Sequence, residues 1–278
     1  MMDEINIFLT ILIVLLIVVI MYLLLVAPRM FHKPDRTPFY GVLYAHRGLF
    51  DNHSEAPENS LAAFRKAVDS GYGIELDVQL SKDGIPVVFH DANLKRMCGV
   101  DGNVWEYTLE ELQQMKLANS SATIPTFADV LDLVDGRVPL IIEYKLDVAQ
   151  TRVCELGNEL LTKYKGVYCI ECFHPLALLW YRKHRPDVMR GQLCMAYWKE
   201  DKFRGKLLYL LLSYLVTNVA TRPDFIAYKH SDADNFSRRV CRKLGVLSVA
   251  WTIKTPKQLE AAKKNFDLFI FDSFLPEK

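Results

Sequence analysis

Residues 73–91 read GIELDVQLSKDGIPVVFHD, and the fold is decided by how this stretch pairs with itself and its neighbours. Glu75 and Asp77 sit in an extended run of Ile, Leu and Val. Lys82-Asp83-Gly84 supplies turn chemistry, and Pro86 to His90 makes a second extended run. A connection this short cannot make a parallel crossover, so the two runs are expected to form an antiparallel hairpin. Centring the turn between Asp83 and Gly84 sets Asp77 opposite His90, with directly paired Cβ atoms roughly 5 Å apart. Glu75 and Asp77 share one face because strand side chains alternate. Two carboxylates and an imidazole then meet at the open end of the hairpin, a setting for a hard cation beside a general acid or base. Acidic strand residues more often coat a solvated face, and a lone strand histidine is more often structural, so the reading depends on the rest of the chain.

Working outward, short apolar runs alternate with helical patterns. Strands are expected at 42–46, 73–79, 139–145, 167–173, 190–195, 224–228, 246–252 and 267–272. Helices are expected at 58–70, 108–117, 126–135, 147–165, 175–185, 233–244 and 256–264. The first opens on Glu58-Asn59-Ser60 and stops at Gly71; the last follows Thr255 with Pro256 in its first turn. Strand–helix alternation argues for parallel α/β. With 86–90 set aside as the return arm of the hairpin, eight parallel strands in ~240 residues fit a (β/α)₈ TIM barrel with an inserted β-hairpin. The alternative, a doubly wound open sheet, would usually carry a Gly-rich phosphate loop after its first strand, and none is present.

In such a barrel, polar residues at the C-terminal strand ends read as catalytic. Strand one ends in His46-Arg47, strand two carries Glu75 and Asp77, strand three ends in Glu143-Tyr144-Lys145, and the last strand ends in Asp272. Phe173 and Trp251 close strands four and seven and are placed on the pocket rim as substrate contacts. Glu75, Asp77 and Glu143 offer oxygen-only ligands, which favour Mg²⁺ or Ca²⁺ over zinc. Arg47 and Lys145 suit an anionic substrate, best a phosphate beside a hard cation. His46 and His90 can exchange protons near neutral pH, one activating a hydroxyl or water and the other protonating a leaving oxygen. The assembly points to phosphodiester cleavage.

These residues carry a resemblance. AHRG (45–48), PENS (57–60), IELDVQLSKDGIPVVFHD (74–91), IPT (124–126), IIEYK (141–145), CF (172–173) and AWTIK (250–254) resemble, in order, the motifs of glycerophosphodiester phosphodiesterases. The resemblance implies a (β/α)₈ fold and hydrolysis of glycerophosphodiesters to glycerol phosphate and an alcohol. It implies a divalent metal on Glu75, Asp77 and Glu143, His46 and His90 as the acid–base pair, and phosphate contacts from Arg47 and Lys145. Departures occur at Cys172, where the family often has Ser, at His174, and at Phe271-Asp272-Ser273-Phe274, where it usually has Thr-Asp-x-Pro. Asn59 is expected either to tie the helix start to the site or to serve as a plain cap.

Composition bounds the remaining choices. The chain has 278 residues, of which 51% are hydrophobic, and a net charge of +1, so nothing draws it to nucleic acid. Six cysteines show no zinc-finger spacing; the lone Cys169-x-x-Cys172 lies in the apolar run VYCIECF and reads as buried strand. Unpaired cysteines suit a reducing compartment. Residues 5–27 carry no charge and are long enough to span the ~30 Å hydrocarbon core of a bilayer as a retained transmembrane helix. Arg29, Lys33 and Arg36 follow it, which places the catalytic domain in the cytoplasm. Residues 28–40, with three prolines, read as a linker, and the catalytic domain as 41–278. A second apolar stretch, 203–219, is either a buried barrel helix or an amphipathic flap lying on the membrane near the site. The flap and the tether make lysophospholipids plausible substrates beside glycerophosphodiesters. The competing functions are a phospholipase D- or C-like lipid phosphodiesterase on a related barrel, and a catalytically silent membrane-anchored scaffold. The scaffold reading predicts a degraded site, whereas His46, Arg47, Glu75, Asp77, His90, Glu143 and Lys145 are all present.

Overall fold

A computed structural model of the chain describes residues 2–146 and 150–277. Among the described residues nine strands occur: β1 (Leu43–His46), β2 (Gly73–Leu80), β3 (Pro86–Val88), β4 (Leu140–Tyr144), β5 (Tyr168–Cys172), β6 (Arg190–Cys194), β7 (Phe225–Lys229), β8 (Leu247–Ile253) and β9 (Leu268–Phe271). All but β3 run parallel, in the order β1-β9-β8-β7-β6-β5-β4-β2, and β1 pairs with β2 to close the ring. The eight barrel strands are those expected from the sequence. An open doubly wound sheet is excluded because closure leaves no edge among the eight barrel strands.

The strands are buried on both faces, as parallel barrel strands must be. Tyr44, Ile141, Cys169, Leu193, Ala227, Val249 and Ile270 belong to one apolar cluster. Alternate residues such as Leu76, Ile142 and Ile170 join a second, with helix residues such as Phe64, Phe127 and Leu178. A third cluster, including Val87, Phe89, Leu94, Met97 and Ile124, packs under the excursion that follows the hairpin. Ser60 caps the helix Leu61–Asp69 by accepting from Ala63 N, and Thr255 caps Pro256–Ala262 by accepting from Gln258 N. The helix expected over 147–165 is found as Arg152–Leu161; residues 147–149 lie outside the described residues.

The hairpin is present with a different register. Val78 pairs with Val88 and Leu80 with Pro86, and Phe89 N donates to Asp77 O at 3.0 Å. Asp77 therefore faces Phe89, not His90. The turn has an odd number of residues, Ser81 to Ile85, closed by Ser81 N on Ile85 O and by Ile85 N on the Ser81 hydroxyl. That centres it on Asp83 and slips the pairing by one residue. The chain leaves β3 after Val88, and His90 lies in the bend that follows.

The apolar N-terminal helix runs Met2–Val26 and is long and apolar enough to cross a membrane. Its last turn docks on the barrel, where Val26 is fully buried. Residues 28–40 hold to the floor, the end where the strands begin. Arg29 N donates to Pro223 O, Arg36 to Gly245 O, and Phe39 enters the apolar cluster that holds Tyr44 and Ile141. The stretch 203–219 is not one buried helix: it forms Leu207–Ser213 and Asn218–Thr221, with its leucines largely exposed.

Candidate active site

The strand period builds the site. Two residues beyond Tyr44, Ile141, Cys169, Val249 and Ile270 stand His46, Glu143, Glu171, Trp251 and Asp272, the next positions on the same face of each strand. Register sets them level: His46 pairs with Glu75, Asp77 with Glu143, and Glu143 with Glu171. Glu75, Asp77 and Glu143 each bring an oxygen within 4.8 Å of the others, and all three are buried. After β1 the backbone turns through positive φ at Arg47 and Gly48. A Cβ on Gly48 would sit 2.8 Å from the Ala63 carbonyl carbon, so only glycine fits against the next helix. The turn aims Arg47 N at Glu75 Oε2, 3.1 Å away.

Both histidines are backed by a carboxylate. His46 Nδ1 is 2.9 Å from Asp272 Oδ2, and His90 Nδ1 is 2.6 Å from Asp91 Oδ1. A Nδ1–H donated to a carboxylate leaves Nε2 with its lone pair. His46 Nε2 lies 4.0 Å from Glu75 Oε2. A belt of ion pairs supports the His90 side: Arg96 donates to Asp91 Oδ2 and to both Glu58 oxygens, and Glu58 also accepts from Arg47 Nη1 at 2.7 Å. Asn59, at positive φ, donates to Asp77 Oδ2 at 2.9 Å, so it ties the helix start to the site while Ser60 does the capping.

The electrostatics are those of an acid-rich, dry cluster. Burial, then the charges of Asp77, Glu143 and Glu171, push Glu75 well above the carboxylate range. Burial, then Glu143, does the same to Glu171. Glu143 is also raised, by burial, with Lys145 opposing. Burial works against the Asp77 charge too, but Lys145, His90 and Arg47 outweigh it and hold Asp77 well below. Burial lowers His46 against the pull of Asp272. Lys145 Nζ bridges Asp77 Oδ1 at 2.8 Å and Glu143 Oε1 at 2.7 Å. Glu75 and Glu143, pushed toward the neutral form by burial and then by neighbouring carboxylates, are what a divalent cation would relieve, and three converging oxygens suit a hard one. The triad fits a divalent metal site.

A cavity of about 110 Å³ is lined by His46, Arg47, Glu75, His90, Glu143, Glu171, Phe173 and Trp251, among others. The structure thus gathers His46, His90, Arg47, Phe173 and Trp251 with the triad. Lys145 is held between two triad carboxylates rather than lining this cavity. Asp272, which holds His46, lines an open groove of about 820 Å³ that also includes Gly48, Phe50 and Phe274. Sequence reasoning missed Glu171, Glu58 and Arg96, and did not pair Asp91 or Asp272 with the histidines. For Glu171 the available signal was a carboxylate inside the otherwise apolar VYCIECF; its Oε2 accepts no hydrogen bond among the described residues. His174 is a cap, its Nδ1 accepting from Leu176 N at 3.2 Å.

Residues 46–272 match the model of the glycerophosphoryl diester phosphodiesterase family. Glycerophosphodiester phosphodiesterase 1 of Bos taurus is 40% identical over 243 residues, covering 76% of this chain and 71% of that protein. A glycerophosphodiester phosphodiesterase of Bacillus altitudinis is 42% identical over 111 residues, covering 37% of this chain and 44% of that one. The chain spans about half the length of the bacterial relatives it matches. Among solved structures, a glycerophosphodiester phosphodiesterase from Thermotoga maritima superposes with a TM-score of 0.64 at 27% identity, over 84% of this chain and 96% of that one. A phosphodiesterase of Oleispira antarctica, solved with its product sn-glycerol-3-phosphate, shares the fold with a TM-score of 0.67 at 24% identity, over 84% and 94%.

Proposed function

Because the chain belongs to the glycerophosphoryl diester phosphodiesterase family, we propose that it hydrolyses glycerophosphodiesters to glycerol phosphate and an alcohol. The observation that carries the reading is the pair of carboxylate-backed histidines lining one cavity with Glu75 and Glu143 of the acidic triad. Glu75, Asp77 and Glu143 would hold one divalent cation, Mg²⁺ or Ca²⁺, which supplies charge neutralisation at the phosphoryl oxygens. Arg47 and Lys145 add positive charge toward the phosphodiester, and Phe173 and Trp251 wall the alcohol side. One histidine takes the proton from the attacking hydroxyl, of water or of the substrate's own glycerol; in the second case the product is a cyclic phosphate, which a water then opens to glycerol phosphate. As the phosphorus–oxygen bond to the alcohol breaks, the other gives that oxygen a proton. Asp272 and Asp91 orient the two rings and favour the imidazolium that forms.

A membrane-spanning helix at 5–27, followed by residues 28–40 and a cytoplasmic catalytic domain over 41–278, completes the proposal. The apolar helix and the flanking Arg29, Lys33 and Arg36 support it. Lysophospholipids are a second substrate class, favoured by the exposed leucines of 207–211. The test is a panel of glycerophosphodiesters, lysophospholipids and intact phospholipids, assayed with Mg²⁺, Ca²⁺ or chelator on the full-length protein in detergent. Cutting away residues 1–40 would remove Val26 and Phe39 from the packed barrel and confound the result. Release of glycerol phosphate supports the proposal. Release of phosphatidate or diacylglycerol from intact phospholipids would favour a phospholipase D or C reading, and no turnover with any metal would leave the scaffold reading.

A further inference from the structure

We infer that the barrel is mounted with its catalytic mouth against the bilayer, seated on the exposed apolar and cationic segment 202–211. The inference rests on the reading of residues 5–27 as a membrane span. Three sets of contacts carry it.

The first is the direction of the N-terminal helix. Tyr22 bonds Ser237 at 2.7 Å and packs on the Phe236 ring at 5.8 Å, at the first turn of the helix that follows the C-terminal end of β7. Val26 O accepts from Cys241 and Asn218, lower down, and Lys33 and Arg36 reach Gly245 at the floor. The chain therefore descends from rim to floor between Tyr22 and Arg36. Residues 5–21, about 25 Å of exposed helix, run on past Tyr22 in the direction of the rim. A span that leaves the barrel on this side brings the mouth, not the floor, to the membrane.

The second is what stands on the rim beside that helix. The loop after β6 carries Leu207–Ser213, anchored where Ser213 O accepts from Tyr228 OH and Asn235 Nδ2. Its outer leucines, Leu207 and Leu208, are 69% and 61% exposed. A helix of seven residues is too short to span a bilayer, but an apolar strip this size is suited to its interface. Lys202 lies 4.7 Å over the Phe203 ring and Lys206 5.8 Å over Tyr209, so cations flank the strip where anionic headgroups would lie.

The third is continuity with the site. Rings run inward from the strip: Phe203 and Tyr209 pack on Tyr197 at 5.1 and 5.4 Å, Tyr197 on Phe173 at 6.4 Å, and Phe173 on Trp251 at 5.6 Å. Phe173 and Trp251 line the catalytic cavity. The occupant of the strip is thus a lipid surface bearing anionic headgroups, with an apolar track from it to the reacting centre.

The test places single tryptophans in the full-length protein, reconstituted in vesicles of phosphatidylcholine and phosphatidylglycerol brominated near the glycerol end of the acyl chains. One variant is Leu208→Trp; the other is Lys165→Trp, at an exposed floor position before β5. Emission beyond that of the native tryptophans is read in each. At least about twofold quenching of the Leu208→Trp increment, and none of the Lys165→Trp increment, is expected. An unquenched Leu208→Trp, with the protein still resisting alkaline carbonate extraction, overturns the orientation and leaves the membrane span standing; burial against a second copy gives this result. Quenching at Lys165→Trp alone inverts the orientation and also overturns it. Extraction by carbonate overturns the span and the orientation together.

Discussion

At the floor of the barrel, Asp224 and Arg190 are buried against each other. Asp224 accepts from Arg190 N at 3.1 Å and faces the Arg190 and Arg29 guanidiniums at 3.6 Å, while Arg190 also donates to Thr221 O and Arg222 O. At the rim, the carboxyls of Glu75, Asp77, Glu143 and Glu171 meet Arg47 and Lys145, and three of those four are pushed upward, first by burial and then by or against neighbouring charges. Both ends bury charge in the same eight strands. The floor also raises its acid, Asp224, by burial, but sets two guanidiniums against that one carboxylate and stitches the N-terminal segment to the barrel. The rim leaves acid in excess, an arrangement a fold keeps for binding and chemistry rather than for stability.

The largest expected effect falls on the histidines. His46→Ala or His90→Ala should lower kcat/KM on a glycerophosphodiester by about 10²–10⁴-fold, with metal affinity by calorimetry little changed. A loss of metal binding as large as the loss of rate would make them ligands instead. Next come the triad and the metal. Chelation should abolish turnover and Mg²⁺ or Ca²⁺ restore it. Glu75→Gln or Glu143→Gln should weaken metal binding by more than the ~10–100-fold that follows from disturbing a ligand's hydrogen-bond partner. Unchanged activity in chelator would remove the metal from the proposal.

At the floor the comparison predicts the reverse pattern. Asp224→Ala strands buried guanidiniums and should cost about 3–5 kcal/mol in denaturant unfolding, while the pH–rate profile of the folded fraction stays as in the parent. A shifted profile would mean that the two ends are coupled. The smallest effect concerns Glu58. Burial raises its pKa, but the hydrogen bonds from Arg96 and the charge of Arg47 dominate and pull it from 4.5 to about 2. A folded-state value below the unfolded one contributes stability that is complete above pH 4.5 and lost as pH falls toward 2. The 4.5-to-2 difference corresponds to about 3 kcal/mol as an upper bound. Unfolding curves between pH 2 and 6 should therefore be flatter in Glu58→Gln than in the parent; parallel curves would show that the Arg47–Glu58–Arg96 belt adds no pH-linked stability.

How much of this was legible can be argued residue by residue. Strand positions, closure into eight and the faces of Glu75 and Asp77 were readable because they rest on a period of two and on the alternation of strand and helix. His90 was placed at the site from a pairing that is one residue off. It still reaches the cavity because the chain bends after Val88, and a five-residue turn held by the Ser81 hydroxyl is not visible in turn composition. Glu171 hid in a run read as wholly apolar. The partnerships of His46 with Asp272 and of Glu58 with Arg96 join residues 226 and 38 positions apart, beyond the reach of local pattern.

The amino-acid order by itself determined the barrel, the apolar N-terminal helix and the inventory of acids, histidines and cations at the strand ends, because each follows from short-range periodicity and residue chemistry. Tertiary structure alone decided which carboxylate backs which histidine, that Lys145 is held between Asp77 and Glu143, and on which side of the barrel the N-terminal helix departs. Those outcomes depend on strand register and helix docking, which are set by contacts between residues far apart in the chain.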